Sequence, residues 1–447
     1  MWSAWSGPAC VRLSRALVTV ALALLFLQAA ATVELVFTLQ ISYGLLLLAC
    51  LVGAPHILLG WRRLPLWLRW MAVGLVVSYL LALALGQQTT LAAQARASSY
   101  RGLAYVADLL LGLSVVGLMA GLWREAGDLK LLVWALVAGA AAAAVYGVYQ
   151  WLAIRFHLPL QNIDNAVNTN GVTSGGTQSQ GAGPLGGQRI RSTFVEPHFL
   201  AAYLASMVPL ALALAARPTS RWRRLVAPAV VFMGLGLVLA ASVPGFAVLS
   251  GAALVGMTLR WVSRGRVGLS ALGGGLLVAG AVLTVAVLVN PASLSALTGR
   301  TGAQLQTTTG FRVSTWGQAI DLWSTRPVSG FGPGQGSVKL AQPEIVSGRT
   351  YEVLGTANGI WTAALLDGGV LALCFWVFTL GGLLYVGARA ILRGADTLVL
   401  GIFVAAIAAV FASLVQADRL APQVWILLGL LAAASSVPRA EGGEHRR

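Results

Sequence analysis

The sequence predicts an all-α polytopic membrane protein in which residues 1–447 form a single integral membrane domain. Three observations lead to this prediction. Hydrophobic residues make up 57% of the chain and charged residues only 10%, which excludes an ordinary water-soluble globule. The apolar residues gather into uncharged runs of about 17 to 25 residues, the length of a membrane-spanning helix. Lys and Arg concentrate in alternate connections between these runs, which is typical of loops on the cytoplasmic face.

About twelve apolar runs are long enough to be predicted as membrane-spanning helices. They lie near residues 13–33, 35–59, 66–86, 102–122, 131–153, 199–216, 225–241, 245–260, 268–289, 359–386, 397–416 and 422–437. The first run follows basic residues, as the apolar core of a cleavable signal peptide also does, but it is long for such a core. We therefore predict an uncleaved first helix, with a cleaved signal peptide as the alternative.

The distribution of basic residues predicts the orientation of the chain. The connections assigned to the cytoplasmic face carry Arg12, Arg15, Arg62, Arg63, Arg69, Arg124, Lys130, Arg217 to Arg224, Arg260 to Arg266, Arg389, Arg393 and Arg439 to Arg447. The opposite face carries Arg96, Arg101 and Arg419. Both termini are therefore predicted to be cytoplasmic. The net charge of +16 follows from this topology and favours an anionic lipid bilayer as partner. No nucleic-acid partner is predicted, because no basic segment is interleaved with stacking aromatic residues.

Two connections are long, residues 154–198 and 290–358, and the predicted topology places both on the outer face. Most of the first is polar and Gly-rich, and we expect it to be mobile until a ligand binds. Its end differs, because charged and titratable residues stand directly before an apolar run. They are Arg189, Arg191, Glu196 and His198. Such a cluster at the mouth of a membrane helix favours a functional site. The alternative is an ordinary helix start in which Glu196 complements the helix dipole.

The second long connection is predicted to be partly helical. Apolar side chains recur at helical spacing in its middle, which predicts an amphipathic helix on the membrane interface. They are Val313, Trp316, Ile320 and Trp323. Arg312 opens this helix, Pro327 ends it, and the Gly-rich turn GFGPGQG follows. Arg326 stands at the end of the helix, where capping explains an arginine as well as ligand binding does.

Two carboxylates fall inside predicted spans, Asp108 and Asp367. Each is interpreted as a proton relay or as half of a structural pair. For Asp367, beside Gly368 and Gly369, a structural role at the floor of the outer site is favoured. The three cysteines show no pairing logic, so neither a disulfide nor a cysteine metal site is predicted.

Four stretches resemble, in order and spacing, the bacterial O-antigen ligase and O-antigen polymerase superfamily. They are RIRSTFVEPHFLAAYL (189–204), Arg312 to Trp316, RPVSGFGPG (326–334) and TANGIWTAALLDGGVLAL (356–373). The resemblance covers roughly residues 185–385. It implies a GT-C-like glycosyltransferase architecture in which residues 154–198 and 290–358 are the first and second periplasmic loops.

Departures from the family pattern favour a polymerase over a ligase. Many members, including the ligases, carry a His-Asn pair where this chain has Ala357 and Asn358. Glu196 followed by Pro197 looks more like the polysaccharide polymerases. The family's Ser-Arg-Gly is here Ser-Val-Pro-Gly, residues 242–245, so no arginine stands there.

The resemblance implies an enzyme that polymerises lipid-linked repeat units of O-antigen or exopolysaccharide at the outer face of the bacterial inner membrane. The glycan chain would leave undecaprenyl diphosphate and join an acceptor sugar hydroxyl, and a chain-length regulator is a further candidate partner. The first alternative is an O-antigen ligase, which transfers the glycan to lipid A core. The second is a transporter of an anionic solute in which Asp108 and Asp367 carry protons, although the sequence shows no internal repeat.

Glycosyl transfer from a lipid diphosphate requires a base for the acceptor hydroxyl and positive charge for the leaving group. Glu196 is the first candidate base and His198 the second, and desolvation is expected to raise the pKa of Glu196. The candidate diphosphate ligands are Arg189, Arg191, Arg312, Arg300 and Arg326, since arginine binds phosphate oxygens in a bidentate fork. Supporting roles are assigned to Tyr203, Asn358 and Asp367. The outer loops lack a DxD motif, so no metal and no cofactor are predicted.

Overall fold

The structure is a computed structural model. The residues that it describes are 7–27, 32–34, 38–86, 98–123, 125–161, 189–194, 196–216, 223–264, 302–340, 342–346, 349–353, 357, 359–416 and 421–436. The predicted span at 268–289 and the predicted site residues Arg300 and Asn358 lie outside these ranges.

Most of the described chain is helical. The helices are α1 (Pro8–Ala23), α2 (Ile41–Val52), α3 (Ala54–Arg63), α4 (Leu66–Leu85), α5 (Ser98–Leu122), α6 (Ala126–Phe156), α7 (Pro197–Ala215), α8 (Arg223–Leu239), α9 (Val243–Arg264), α10 (Gly302–Ser324), α11 (Gly336–Lys339), α12 (Ile360–Leu392), α13 (Thr397–Gln416) and α14 (Pro422–Ser436). The strands are β1 (Thr32–Glu34), β2 (Thr38–Gln40), β3 (Gln342–Val346) and β4 (Arg349–Val353). They form two antiparallel hairpins, β1–β2 and β3–β4, which the helical pattern of the sequence does not predict.

Seven helices in the described part of the chain are long and apolar enough to cross a membrane, or up to eight if one bent pair counts as a single span. They include α4, α7 and α13, close to the predicted bounds. Helices α8 and α14 are shorter apolar helices. The protein is therefore a multi-pass membrane protein, and the predicted number of twelve spans stays a prediction.

The predicted span at 35–59 is not a single straight helix. Its place is taken by β2 and by α2 and α3, which meet at an angle of 84°. Pro55 lacks the N–H that would continue the helix, and Gly53 supplies a compact junction. A Cβ at Gly53 would lie 2.4 Å from Leu118 and 2.7 Å from the Ser14 hydroxyl, so the bend brings the chain tightly against α5 and α1. The hydropathy of this run could not predict the bend, because the bend depends on tertiary packing.

Basic residues from separate connections meet at one end of the bundle. The Arg15 guanidinium donates to the Leu122 carbonyl at 2.5 Å and pairs with Asp128 at 3.0 Å. The Arg63 guanidinium donates to the Ala120 carbonyl at 2.7 Å. These cations satisfy the last carbonyls of α5 and complement its dipole. Arg15 and Arg63 therefore lie at the same end of the bundle.

Helix α7 is largely buried and packs between α6, α8, α9 and α13. Its side chains are apolar and small, and most of them are buried along its whole length. A helix that is apolar all round belongs in the core of a bundle. Its N-terminus therefore opens at a place that neighbouring helices surround, and the charged cluster stands there.

Candidate active site

Glu196 and His198 form a pair at the start of α7. Pro197 occupies the first turn, where its missing N–H costs nothing. Glu196 is the residue before the helix, but its carboxylate makes no capping bond to the helix backbone. The His198 Nδ1 lies 3.0 Å from the Glu196 Oε2 instead. The Glu196 side chain is 49% exposed and that of His198 only 18% exposed, so the pair joins a solvated carboxylate to a shielded imidazole.

The pKa of Glu196 lies below its ordinary value. The hydrogen bond from His198 is the largest cause, and the charges of His198, Arg189 and Arg312 lower the pKa further. Desolvation acts in the opposite direction and is outweighed. The predicted rise in this pKa was therefore wrong. Burial alone would have raised it, but the neighbouring donors and cations stabilise the carboxylate.

Arg189 and Arg191 belong to an irregular segment directly before α7. Both are buried, with exposures of 9% and 3%. The Arg189 Nε donates to the Ala240 carbonyl at 2.9 Å, and the backbone N–H of Ile190 donates to the Leu239 carbonyl at 3.3 Å. The segment therefore lies across the C-terminal end of α8, where a positive charge is favourable. Arg189 both satisfies that helix end and contributes charge to Glu196.

Gln150 on α6 holds this segment in place, and the sequence analysis did not single it out. Its amide oxygen accepts hydrogen bonds from the backbone N–H groups of Arg191, at 3.1 Å, and Ser192, at 2.8 Å. Its amide nitrogen donates to the Gln161 carbonyl at 3.0 Å. The Ser192 hydroxyl adds a bond to the Ala143 carbonyl at 2.7 Å. A fully buried side chain thus joins both ends of the first long connection. The sequence signal that could have indicated this role is the position of Gln150 as a polar residue in an Ala-rich apolar run.

Helix α10 brings the second long connection to the same place. The helix ends before Pro327 as predicted, but it begins at Gly302 and not at Arg312, which lies in its middle. Arg312 acts on Glu196 through its charge. The predicted apolar stripe does not pack as one face, however. Val313 and Ile320 are 57% and 43% exposed, whereas the ring of Trp316 lies 5.8 Å from that of Trp361 at the start of α12. Helical spacing identified the helix but not the face that packs, because Thr315 and Ala319 provide the buried face.

Arg326 does not join this cluster. Arg312 lies in the middle of α10 and Ser324 at its end, so roughly 18 Å of helix axis separates the two residues. The Arg326 N–H donates to the Trp323 carbonyl at 2.8 Å, and its guanidinium lies over the Phe331 ring at 5.7 Å. Among the described arginines, Arg189 and Arg312 thus act on Glu196, whereas Arg326 lies at the far end of the helix.

The Gly-rich turn after α10 closes onto a break in α12. Gly369 interrupts that helix with φ 67° and ψ −166°. The Phe331 N–H donates to the Leu366 carbonyl at 2.7 Å, and the Gly332 N–H donates to the Asp367 carbonyl at 3.0 Å. The Asp367 carboxylate accepts from the Gly336 N–H at 2.8 Å. Asp367 therefore fastens the turn to the break, in agreement with the structural role favoured from sequence.

The remaining predicted residues are placed as follows. Tyr203 is fully buried on α7 with its ring 5.1 Å from that of Phe194, and its hydroxyl has no hydrogen-bond partner among the described residues. Asp108 is partly buried on α5. Ala357 is buried, and its carbonyl accepts from the Thr362 hydroxyl at 2.7 Å. Within the described ranges no three His, Cys, Asp or Glu side chains gather as a metal site.

Comparison with known families bears on this arrangement directly. Residues 228–377 match the family described as O-antigen ligase. About a third of the chain is therefore similar to the O-antigen ligase family. This match confirms the resemblance to the O-antigen ligase and polymerase superfamily, whose members are glycosyltransferase-type enzymes acting on lipid-linked glycans. The matched range, residues 228–377, contains Arg312, Arg326 and Asp367, while Glu196 and His198 precede it. Comparison with curated proteins gives no significant match.

Proposed function

We propose that this protein, which is similar to the O-antigen ligase family over residues 228–377, is a polymerase of lipid-linked polysaccharide repeat units. It transfers a glycan chain from undecaprenyl diphosphate to an acceptor sugar hydroxyl by metal-independent glycosyl transfer. The observation that carries the proposal is the Glu196–His198 pair beside the charges of Arg189 and Arg312 at the mouth of α7. This grouping supports the proposal, because the reaction needs a base close to cations that stabilise a departing diphosphate.

His198 is the better candidate for the base, which reverses the order expected from sequence. A carboxylate with a lowered pKa accepts a proton less readily. When the Nδ1 hydrogen of His198 points at Glu196, the Nε2 carries the lone pair. Nε2 would take the hydroxyl proton while the acceptor oxygen bonds to the anomeric carbon. Glu196 would then stabilise the imidazolium that forms.

The leaving group in this reaction is the lipid diphosphate. The bond from the anomeric carbon to its phosphate oxygen breaks with the electron pair on that oxygen, so negative charge develops there. A guanidinium keeps its charge at every relevant pH and binds two phosphate oxygens at once. Arg312 and Arg189 are the candidates for this role, and Arg191 lies in the same segment.

The proposal includes a location. The site lies on the periplasmic side of the bacterial inner membrane, both long connections are periplasmic, and the termini are cytoplasmic. Arg15 and Arg63 at the C-terminal end of α5 support this orientation, because the cytoplasmic side is richer in arginine. The GT-C-like arrangement, the twelve spans and a chain-length regulator as partner belong to the same proposal.

A ligase is the second candidate, because the matching family is described as O-antigen ligase. The polymerase is favoured by position 357, where a buried alanine takes the place of the histidine found in many ligases. Ala357 cannot move a proton. In this chain the only imidazole assigned to the proposed chemistry is that of His198.

The activity is tested with purified protein and undecaprenyl-diphosphate-linked repeat units. We expect a ladder of longer lipid-linked chains that forms equally well with EDTA. A product joined only to added lipid A core would replace the polymerase with the ligase. No glycan transfer to either acceptor, together with uptake of a labelled anion into proteoliposomes, would favour the transporter.

A further inference from the structure

Arg326 and Lys339 stand on either end of the turn that closes onto α12. The Arg326 guanidinium lies 5.7 Å and the Lys339 ammonium 5.8 Å from the centre of the same ring, that of Phe331. The ring is buried and both cations are partly exposed. Among the residues that the structure describes, neither cation forms a salt bridge with a carboxylate. Two positive charges thus share one aromatic ring without a neutralising anion from the described chain.

The backbone between these two cations is held in a single conformation. A Cβ at Gly369 would lie 2.1 Å from the Val328 carbonyl, so the turn fills the break in α12. A Cβ at Gly330, where φ is 63°, would lie 2.6 Å from the Leu366 carbonyl. Both positions require glycine, and the turn cannot relax away from the helix to separate the charges. The backbone that carries the two cations therefore stays beside the Phe331 ring.

The position of the turn indicates that a lipid can reach it. A Cβ at Gly86, directly after α4, would lie 2.6 Å from the Phe331 carbonyl, and one at Gly102 on α5 would lie 3.2 Å from the Pro333 carbonyl. The turn therefore lies beside the end of α4, the start of α5 and the break inside α12. Val328, two residues beyond Arg326, exposes more than half of its apolar side chain. An exposed apolar residue beside paired cations is the chemistry of a lipid headgroup boundary.

We infer that Arg326 and Lys339 bind the phosphate of a lipid headgroup at a second site, separate from the Glu196 cluster. The length of α10 separates the two sites, since Arg312 serves one and Arg326 the other. Resting on the proposed function, the second headgroup is the diphosphate of the lipid-linked acceptor, because a polymerase binds two lipid diphosphates during one transfer. An ordinary anionic phospholipid offers the same phosphate chemistry and is the other source.

The test uses native mass spectrometry of the full-length protein with undecaprenyl diphosphate as one probe and phosphatidylglycerol as the other. Wild type is expected to bind two phosphate lipids at high occupancy. Arg326→Gln with Lys339→Gln should lose one of them, whereas Arg326→Lys with Lys339→Arg should keep both, because the charges remain. The probe whose second copy disappears identifies the source.

Controls separate this site from the proposed reaction. Arg393→Gln removes an exposed cation at the far end of α12 and should leave both copies bound. Arg312→Gln should lose the lipid copy at the Glu196 cluster, and the Arg326→Gln, Lys339→Gln variant should lose the copy at the second site. A variant that combines all three substitutions should therefore lose both copies. The mass measurement detects lipid binding and does not require glycan transfer. A protein that binds two lipids but transfers no glycan would therefore overturn only the proposed function. Unchanged occupancy of both probes in the Arg326→Gln, Lys339→Gln variant overturns the second site.

In an active preparation, the Arg326→Gln, Lys339→Gln variant should raise the KM for the acceptor about tenfold with little change in kcat.

Discussion

The imidazole Nδ1 of His198 lies 3.0 Å from the carboxylate Oε2 of Glu196 across the first turn of α7. The two side chains leave the chain on either side of Pro197, which begins the helix and limits the backbone between them. The bond sets the tautomer of the imidazole and lowers the pKa of the carboxylate at the same time. It therefore supports different proposed roles for two residues that the sequence ranked as the first and the second candidate base.

His198→Ala is expected to lower kcat about 100-fold or more, because it removes the proposed base. Glu196→Gln should lose less, about tenfold, since a glutamine oxygen still accepts the Nδ1 hydrogen but lacks the charge that stabilises an imidazolium. Initial rates of ladder formation measure both. His157→Asn is the matched control, because His157 is exposed and has a left-handed conformation that asparagine tolerates. An active His198→Ala protein beside an inactive Glu196→Gln protein would return the role of base to Glu196.

Arg312→Gln is expected to weaken catalysis by about 100-fold, because the leaving diphosphate loses a charged bidentate ligand. It should also raise the pKa of Glu196 toward its ordinary value, since the charge of Arg312 lowers it in the wild type. Arg312→Lys should recover part of the rate but not the bidentate geometry. Arg155→Gln, at an exposed arginine on α6, is the control and should keep the wild-type rate. Equal activity of Arg312→Gln and Arg155→Gln would remove Arg312 from the site.

The lowered pKa of Glu196 predicts how stability responds to acid. A carboxylate whose pKa is lower in the folded state stabilises the fold above its unfolded pKa of about 4.3, and this contribution disappears as the pH falls through the folded value. Because the side chain is half exposed, the effect should be small, about 1–2 °C in Tm. Thermal unfolding at pH 6 and at pH 3.5 should show a larger acid loss for wild type than for Glu196→Gln. Parallel losses would contradict the assignment.

Gln150→Leu should disturb the site from a distance. It leaves the N–H groups of Arg191 and Ser192 without their acceptor, and each buried unpaired group costs about 1–3 kcal/mol. We expect a lower Tm and a lower kcat, because the segment that carries Arg189 loses its support. Gln150→Glu keeps the acceptor oxygen but loses the N–H that donates to the Gln161 carbonyl, so it should restore only part of the rate. A Gln150→Leu protein that loses Tm but keeps its full kcat would make the residue purely structural.

Gly369→Ala is expected to destabilise the protein by at least about 2 kcal/mol. Its φ of 67° is unfavourable for alanine, and the new Cβ would meet the Val328 carbonyl. Gly381→Ala, on the same helix, is the matched control, since nothing lies within 4 Å of a Cβ there. It should be neutral or stabilising by up to about 1 kcal/mol. Thermal unfolding in detergent compares the two, and equal Tm values would show that the turn does not depend on the break.

Much of the architecture and part of the site were predictable because their signals are local. Apolar runs identified α4, α13 and α14, and helical spacing identified α10. The charges before Pro197 marked the start of α7. Hydropathy could not distinguish a straight span from the bent pair α2 and α3, because the bend depends on how Gly53 meets α5. For the same reason the apolar stripe of α10 did not reveal its buried face.

The sequence by itself determined a multi-pass helical membrane protein with a charged cluster at one helix start, since hydropathy and charge are properties of each segment. Only the tertiary structure decided which arginine serves that cluster. Arg312 reaches Glu196 across more than a hundred residues, while Arg326, nearer to Arg312 in the chain, is carried away by the rigid length of α10. Gln150 and Asp367 acquire their roles in the same way, because a buried polar side chain is defined by the backbone groups that folding brings to it.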